Sequence, residues 1–256
     1  MLREDELDPY YRVSQKTIAS NINAKRLEEN YLYAVALGIS SLNPSIFMTA
    51  VSDSAINYLI YRKTPSSLDH HGGWYPYRMP WVTARVLISM SAIDTTKRPD
   101  AINIKNVMSS GLESLLNRVT KEGYWRSGVG DWMSQWESTA LCLEAFLCVD
   151  GTEKKYKIII ESIVNNILKN KKWNISTTND LSQDTCILDN VIMISVFLRM
   201  NNTYIENFLS TEDERKYYEY CQSVMHWLEE REDISKNQFC TIPQIMAYSL
   251  FATEDI

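Results

Sequence analysis

The chain has 256 residues, of which 45% are hydrophobic and 23% charged, so it has the composition of an ordinary globular protein with a sizeable core. Its net charge of -6 argues against a nucleic-acid-binding surface, because duplex binding needs a basic face. With only 8 glycines and 7 prolines the chain has few turns, which favours long helices over a sheet of many strands. We therefore expect an all-α fold.

The sequence also predicts the cellular setting. Residues 1–10 are acidic and are expected to form a flexible N-terminus, while residues 11–256 are expected to form a single domain. The N-terminal segment lacks the apolar core of a signal peptide, and no window reaches the roughly 18 uninterrupted apolar residues of a membrane span. The 5 cysteines are an odd number, which is typical of reduced thiols. These features predict a cytoplasmic protein that is not transmembrane.

Two kinds of helix alternate along the chain. One kind is apolar nearly all round, as in Ala140–Leu147, and such a helix is buried on every side. The other kind is amphipathic, with candidates such as Ile104–Val119 and Glu153–Lys169, the second carrying an apolar stripe. That stripe comprises Ile158, Ile159, Ile163, Ile167 and Leu168. The buried helices begin near Glu28, Trp81, Gln135, Asp184 and Thr241.

A repeat of one buried and one half-buried helix, about 50 residues long, predicts a helical repeat or ring. We expect an α/α toroid of about five hairpins, with the buried helices inside and the amphipathic ones outside. The N-terminal helix Tyr11–Lys25 then pairs with the last inner helix and closes the ring. An open ring, or one completed by a partner chain in an oligomer, is the alternative. A linear solenoid is less favoured, because its loops are usually more even.

Two glycine- and tryptophan-rich segments resemble a known family. Gly72-Gly73-Trp74 precedes Trp81-Val82-Thr83-Ala84, and Gly123-Tyr124-Trp125 precedes Trp136-Glu137-Ser138-Thr139-Ala140. Both resemble the repeats of the terpenoid cyclase and protein prenyltransferase α/α toroids, and Lys172-Trp173 before Asp184-Thr185-Cys186 is a weaker third copy. The resemblance covers most of the chain as a periodicity. It implies a toroid that binds an apolar or prenyl-type ligand.

The catalytic expectations follow from the same resemblance. Cyclases of this fold protonate their substrate through a D-x-D-D motif, which the chain lacks. Asp131 and Glu137 are the nearest substitutes, at a loop–helix junction rich in tryptophan. An apolar aromatic setting raises the pKa of a carboxyl and can make it an acid. The alternative is a structural carboxylate that binds backbone N–H groups and an arginine.

The metal candidates are weaker. Asp184-Thr185-Cys186 matches the D-x-C pair of the zinc site in protein prenyltransferases, but the third ligand, a histidine, is missing. Three protein ligands are usual for catalytic zinc, so we expect no metal, with Cys186 as a core thiol. Asp69-His70-His71 places three residue types that can bind a metal next to one another. Adjacent histidines point in different directions, so they rarely bind the same ion. No cofactor is implied by any motif.

The loops Lys63–Pro80 and Lys121–Gln135 both precede inner helices, so in a ring they lie at one end. They place aromatic and charged residues around one opening, which predicts a ligand site. Three functions stay open: a terpene- or prenyl-directed enzyme, a carbohydrate-active (α/α) barrel with paired carboxylates, and a non-catalytic toroid that binds a ligand or partner protein. The predicted ligand-binding residues are Trp74, Tyr77, Arg78, Trp81, Trp125, Arg126, Trp132 and Trp136.

Overall fold

A computed structural model describes residues 56–61, 73–74, 80–93, 95, 98–126, 135–170 and 184–229. Within these ranges the regular structure is helical, and Trp74 makes only a single-residue β-bridge, which is not a strand. The all-α prediction is therefore confirmed for this part of the chain. A helical segment at 56–61 is followed by α1 (Pro80–Ser91), α2 (Ala101–Leu116), α3 (Gln135–Asp150), α4 (Lys157–Asn170), α5 (Asp184–Thr203) and α6 (Thr211–Glu229). The helices predicted at Tyr11–Lys25 and near Glu28 and Thr241 lie outside the described residues, as do residues 1–10.

The chain divides into two compact units, Met1–Arg118 and Val119–Ile256. In the first unit α1 packs against α2, and in the second α5 packs against both α3 and α6. None of the helices that the structure describes combines the length and the apolar character needed to cross a membrane. Whether residues 11–256 act as one domain stays a prediction.

In the first unit, α1 is the buried helix and α2 the amphipathic one, as the pattern predicts. α1 has buried residues along its whole length, from Trp81 to Met90. α2 buries Ile104, Leu112 and Leu115 while Ile102 remains 77% exposed. Gly111 of α2 is required for this packing, because a Cβ there would lie 2.8 Å from Leu87 Cδ2 and 3.0 Å from Trp74 Cζ3. The absence of a side chain at Gly111 therefore lets α1 and the Trp74 ring approach α2.

In the second unit, α3 is the central buried helix. Ala140, Leu143, Ala145 and Phe146 are all 0% exposed, which confirms the predicted burial. The ring of Phe146 packs edge-on against Tyr156, with 5.7 Å between ring centroids, and lies 6.4 Å from the ring of Trp125. α3 spans the predicted bounds, since it begins at Gln135 and ends at Asp150.

The structure corrects the predicted start and apolar stripe of α4. The helix begins at Lys157 and not at Glu153, because the carboxylate of Asp150 holds the preceding turn. Its oxygens accept hydrogen bonds from the backbone N–H groups of Lys155 (3.0 Å) and Tyr156 (2.9 Å). The buried stripe is Ile160, Ile163, Val164 and Ile167, which recur at helical spacing.

Ile158 and Ile159 were expected in that stripe, but they are 83% and 50% exposed. They occupy helical positions that turn away from the stripe, so the prediction for these two residues was wrong.

The last described helix has a serine N-cap. Ser210 Oγ accepts a hydrogen bond from the backbone N–H of Asp213 at 3.1 Å, as an N-cap serine does. The connection from α5 is held by Asn201, whose side-chain oxygen accepts the backbone N–H of Leu209 at 2.9 Å and whose amide donates to Glu214. A short polar network therefore joins α5 to α6.

Candidate functional site

One hydrogen bond is repeated in the two glycine- and tryptophan-rich segments. The backbone N–H of Trp125 donates to Thr139 Oγ1 at 3.0 Å, and the backbone N–H of Trp74 donates to Thr83 Oγ1 at 3.1 Å. The Thr139 hydroxyl in turn donates to the carbonyl oxygen of Gln135 at 2.7 Å. In each segment a threonine of the buried helix that follows the loop thus holds the loop tryptophan. This gives the repeated pattern a structural reason that is independent of any ligand.

Three of the predicted ligand-binding tryptophans lie in the cores of their units. Trp74 and Trp125 are 1% and 0% exposed, and Trp81 is 7% exposed. The indole of Trp74 donates to the carbonyl oxygen of Leu59 at 2.7 Å, so its polar atom is satisfied within the protein. These side chains contribute to packing, and their contact with a ligand stays a prediction.

The first mutational prediction concerns this hydrogen bond. Thr139→Val keeps the size of the side chain and leaves the buried N–H of Trp125 without its acceptor. We expect a loss of about 1–2 kcal/mol in the free energy of unfolding, as for an orphaned buried donor. Urea denaturation of Thr139→Val beside Thr152→Val, at an exposed site, measures the effect. Equal stability of the two variants would contradict the structural role.

Four of the residues highlighted by the sequence meet around the start of α3. The rings of Tyr124 and Trp136 lie 5.9 Å apart between centroids, and Trp136 is partly exposed. Glu137 is in the first turn of α3 and only 5% exposed. The helix dipole stabilises a charged carboxylate in the first turn, so this position is also consistent with a structural role for Glu137. We call Tyr124, Trp125, Trp136 and Glu137 the α3 entrance.

The other predicted site residues are placed as follows. Arg126 follows Trp125 and is exposed. Asp184 is the first residue of α5 and Cys186 is in its first turn, but their side chains lie outside the described residues. Outside them entirely are Tyr77, Arg78, Asp131 and Trp132, the third tryptophan segment at Lys172-Trp173, and Asp69-His70-His71.

A partly buried ion pair in the second unit was not predicted from the sequence. Arg199 Nη1 of α5 donates to Glu144 Oε1 of α3 at 2.9 Å, and Arg199 Nη2 lies 3.9 Å from Cys148 Sγ. Burial acts to lower the pKa of Arg199, but the adjacent Glu144 and Cys148 outweigh it, and the pKa is raised. The one available signal was the spacing of Glu137 and Glu144, seven residues apart, which puts both acids on one side of a buried helix.

The cysteines and acids of the described ranges do not form a metal centre. No group of three or more His, Cys, Asp or Glu side chains there could hold an ion. Cys142, Cys148 and Cys221 form no disulfide among the described residues, and burial raises the pKa of Cys221 to about 12, which makes it unreactive. The chemistry that the described residues offer is therefore that of carboxylates, an arginine and aromatic rings.

Comparison of the chain with protein-family models, with curated proteins and with solved structures finds no match.

Proposed function

We propose that this protein is an α/α toroid of the terpenoid cyclase and prenyltransferase type, which binds an apolar, prenyl-type ligand at the entrances of its inner helices. Two features support the architecture. Buried and amphipathic helices alternate in both units, as α1 with α2 and α3 with α4. The same tryptophan–threonine hydrogen bond occurs near the start of a buried helix in each unit. A repeat that preserves a local contact as well as a period is what a ring of hairpins requires.

The burial of Glu137 carries the functional part of the proposal. This carboxylic side chain is 5% exposed, and it directly follows the partly exposed Trp136 in the first turn of α3. A buried acid beside aromatic rings is the arrangement that can deliver a proton to a carbon–carbon double bond or an allylic oxygen. The faces of the Trp136 and Tyr124 rings can then stabilise the cation that forms. Glu137 acts as the acid, and Asp131, which lies outside the described residues, is the second candidate.

A second candidate is a non-catalytic subunit that binds a partner protein. The observation that favours it is the adjacent pair Ile158 and Ile159, exposed on α4. Large apolar side chains that face solvent next to each other are typical of contact surfaces. A carbohydrate-active barrel is the third candidate, and the binding test below separates it from the first.

The ligand class is tested by tryptophan fluorescence. Purified protein is titrated with farnesol, an uncharged prenyl probe, and in parallel with maltopentaose. We expect saturable quenching by farnesol and none by the sugar, because Trp136 is partly exposed at the α3 entrance. Trp136→Ala should remove the farnesol signal. Saturation by maltopentaose alone would support the carbohydrate alternative, and no response to either would refute ligand binding at this site.

The second mutational prediction concerns the acid. Glu137→Gln keeps the shape of the side chain and removes the proton donor, so acid-catalysed conversion of a prenyl substrate should fall by about 10²–10⁴-fold. The melting temperature should change little. Glu153→Gln, at an exposed site, is the matched control and should leave turnover unchanged. Asp131→Asn tests the second carboxylate in the same way. If the Glu137 and Asp131 variants melt several degrees lower and keep full activity, both carboxylates are structural.

A further inference from the structure

α3 has one polar side. Glu137, Glu144 and Cys148 are separated by seven and four residues, a spacing that puts them on the same side of a helix. Thr139 and Phe146 also lie seven residues apart, and they share the side that packs against Trp125 and Tyr156. At 3.6 residues per turn, the two sides are roughly opposite. The polar side therefore faces away from the packing of α3 on the Trp125 loop.

α5 contributes Arg199 to this polar side and carries Ser195 on the same face of its own helix. Arg199 reaches Glu144 and Cys148, as described above. Ser195 lies one helical turn before Arg199, a spacing at which two side chains of a helix are neighbours. We call Glu144, Ser195 and Arg199 the polar seam between α3 and α5. Its members come from the two helices that pack against each other in the second unit.

Two buried atoms of the polar seam have no hydrogen-bond partner in the part of the chain that the structure describes. They are Glu144 Oε2 and Ser195 Oγ, in residues that are 9% and 0% exposed. A buried polar atom without a partner costs about 1–3 kcal/mol, so a group that supplies the missing hydrogen bond is stabilised there. One is a carboxylate oxygen that can only accept, and the other belongs to a hydroxyl that can donate. A group that both donates and accepts a hydrogen bond, such as a hydroxyl, can therefore serve as the partner of both atoms.

We propose that the polar seam binds the hydroxyl end of the ligand. The ligand O–H donates to Glu144 Oε2, and its oxygen accepts from the hydroxyl of Ser195. Arg199 holds the Glu144 carboxylate in place through Oε1 and leaves Oε2 for the ligand. This inference rests on the proposed function, and it specifies the ligand class as an uncharged prenyl alcohol.

The charges of the polar side argue against a diphosphate ligand. The one guanidinium that the described residues bring to this side, that of Arg199, is already engaged by the Glu144 carboxylate at 2.9 Å. A diphosphate would find no unpaired cation in the polar seam, and its burial without compensating cations is costly. A neutral hydroxyl avoids this cost.

The experiment compares four probes with the same carbon chain. Dissociation constants for farnesol, farnesyl methyl ether, farnesyl diphosphate and the hydrocarbon farnesene are measured by tryptophan fluorescence. The ether cannot donate, so we expect farnesol to bind about tenfold more tightly than the ether, as one buried hydrogen bond provides. Farnesyl diphosphate should bind more weakly than farnesol.

Serine variants supply the matched control. Ser195→Ala should weaken farnesol binding by about five- to tenfold and leave farnesene binding unchanged. Ser138 of α3 is also 0% exposed with an unpartnered Oγ, but it lies about 100° around the helix from Glu137. Ser138→Ala should therefore leave the affinity for all four probes unchanged. Both variants remove only a hydroxyl that lacks a partner, so both should fold.

The outcomes separate the two proposals. If all four probes bind equally well and Ser195→Ala has no effect, the polar seam holds no ligand hydroxyl, while prenyl binding stands. Tighter binding of farnesyl diphosphate would likewise overturn this inference alone. If neither farnesol nor farnesene binds, the proposed function fails and the inference fails with it.

Discussion

Replacing Phe146 with alanine is expected to lower the free energy of unfolding by about 3–5 kcal/mol, as truncation of a fully buried aromatic residue does. Phe146 is 0% exposed and packs against the rings of Trp125 and Tyr156, so its removal leaves a cavity lined by two other large side chains. The loss arises because the variant no longer gains the free energy of burying the ring, and because the side chains around the cavity lose their contacts with it. Urea denaturation followed by circular dichroism gives the measurement.

The control for Phe146→Ala is an apolar truncation at the surface. Ile158 of α4 is 83% exposed, so Ile158→Ala should change stability by no more than about 0.5 kcal/mol. Both substitutions lie in helices and are measured by the same urea denaturation, and they differ in the burial of the replaced side chain. A Phe146→Ala protein as stable as Ile158→Ala would show that α3 is not an inner helix.

Asp150→Ala is expected to cost about 3–4 kcal/mol, because it removes the acceptor of three buried or partly buried donors. These donors are the backbone N–H groups of Lys155 and Tyr156 and the hydroxyl of Tyr204. Asp150 is itself 4% exposed, so water cannot readily replace its oxygens. The loss should appear as a lower midpoint in urea denaturation.

Tyr204→Phe tests the same network one contact at a time. Burial, together with the hydrogen bond to Asp150, raises the pKa of Tyr204 well above its usual value, so the phenol keeps its proton and donates. Its replacement removes one donor and leaves Asp150 with two, for an expected cost of about 1 kcal/mol. If Asp150→Ala is no more destabilising than Tyr204→Phe, the hydrogen bonds from the backbone N–H groups of Lys155 and Tyr156 to Asp150 contribute nothing to stability.

The candidate site was predictable from the sequence only where its residues are close in the chain. Trp136 and Glu137 were expected at the start of α3, and the structure places Glu137 there with little exposure. The ion pair of Glu144 and Arg199 joins residues 55 positions apart. Nothing in the local pattern around either residue indicates the other, because their contact depends on how α3 and α5 pack.

The sequence by itself determined the helices and which of them are buried. The apolar run from Ala140 to Leu147 covers most of the surface of α3, and its burial was predicted correctly from hydrophobicity. The N-cap of α6 is also local, because Ser210 accepts the backbone N–H of Asp213 three residues along the chain.

The tertiary structure decided the features that depend on distant partners. α4 starts at Lys157 because Asp150 binds the turn before it, and the same register turns Ile158 and Ile159 outward. Gly111 is essential only because Trp74 and Leu87 pack against it. Hydrophobicity and capping act through neighbours along the chain, whereas hydrogen-bond partners and close packing require that two separate helices already be in place.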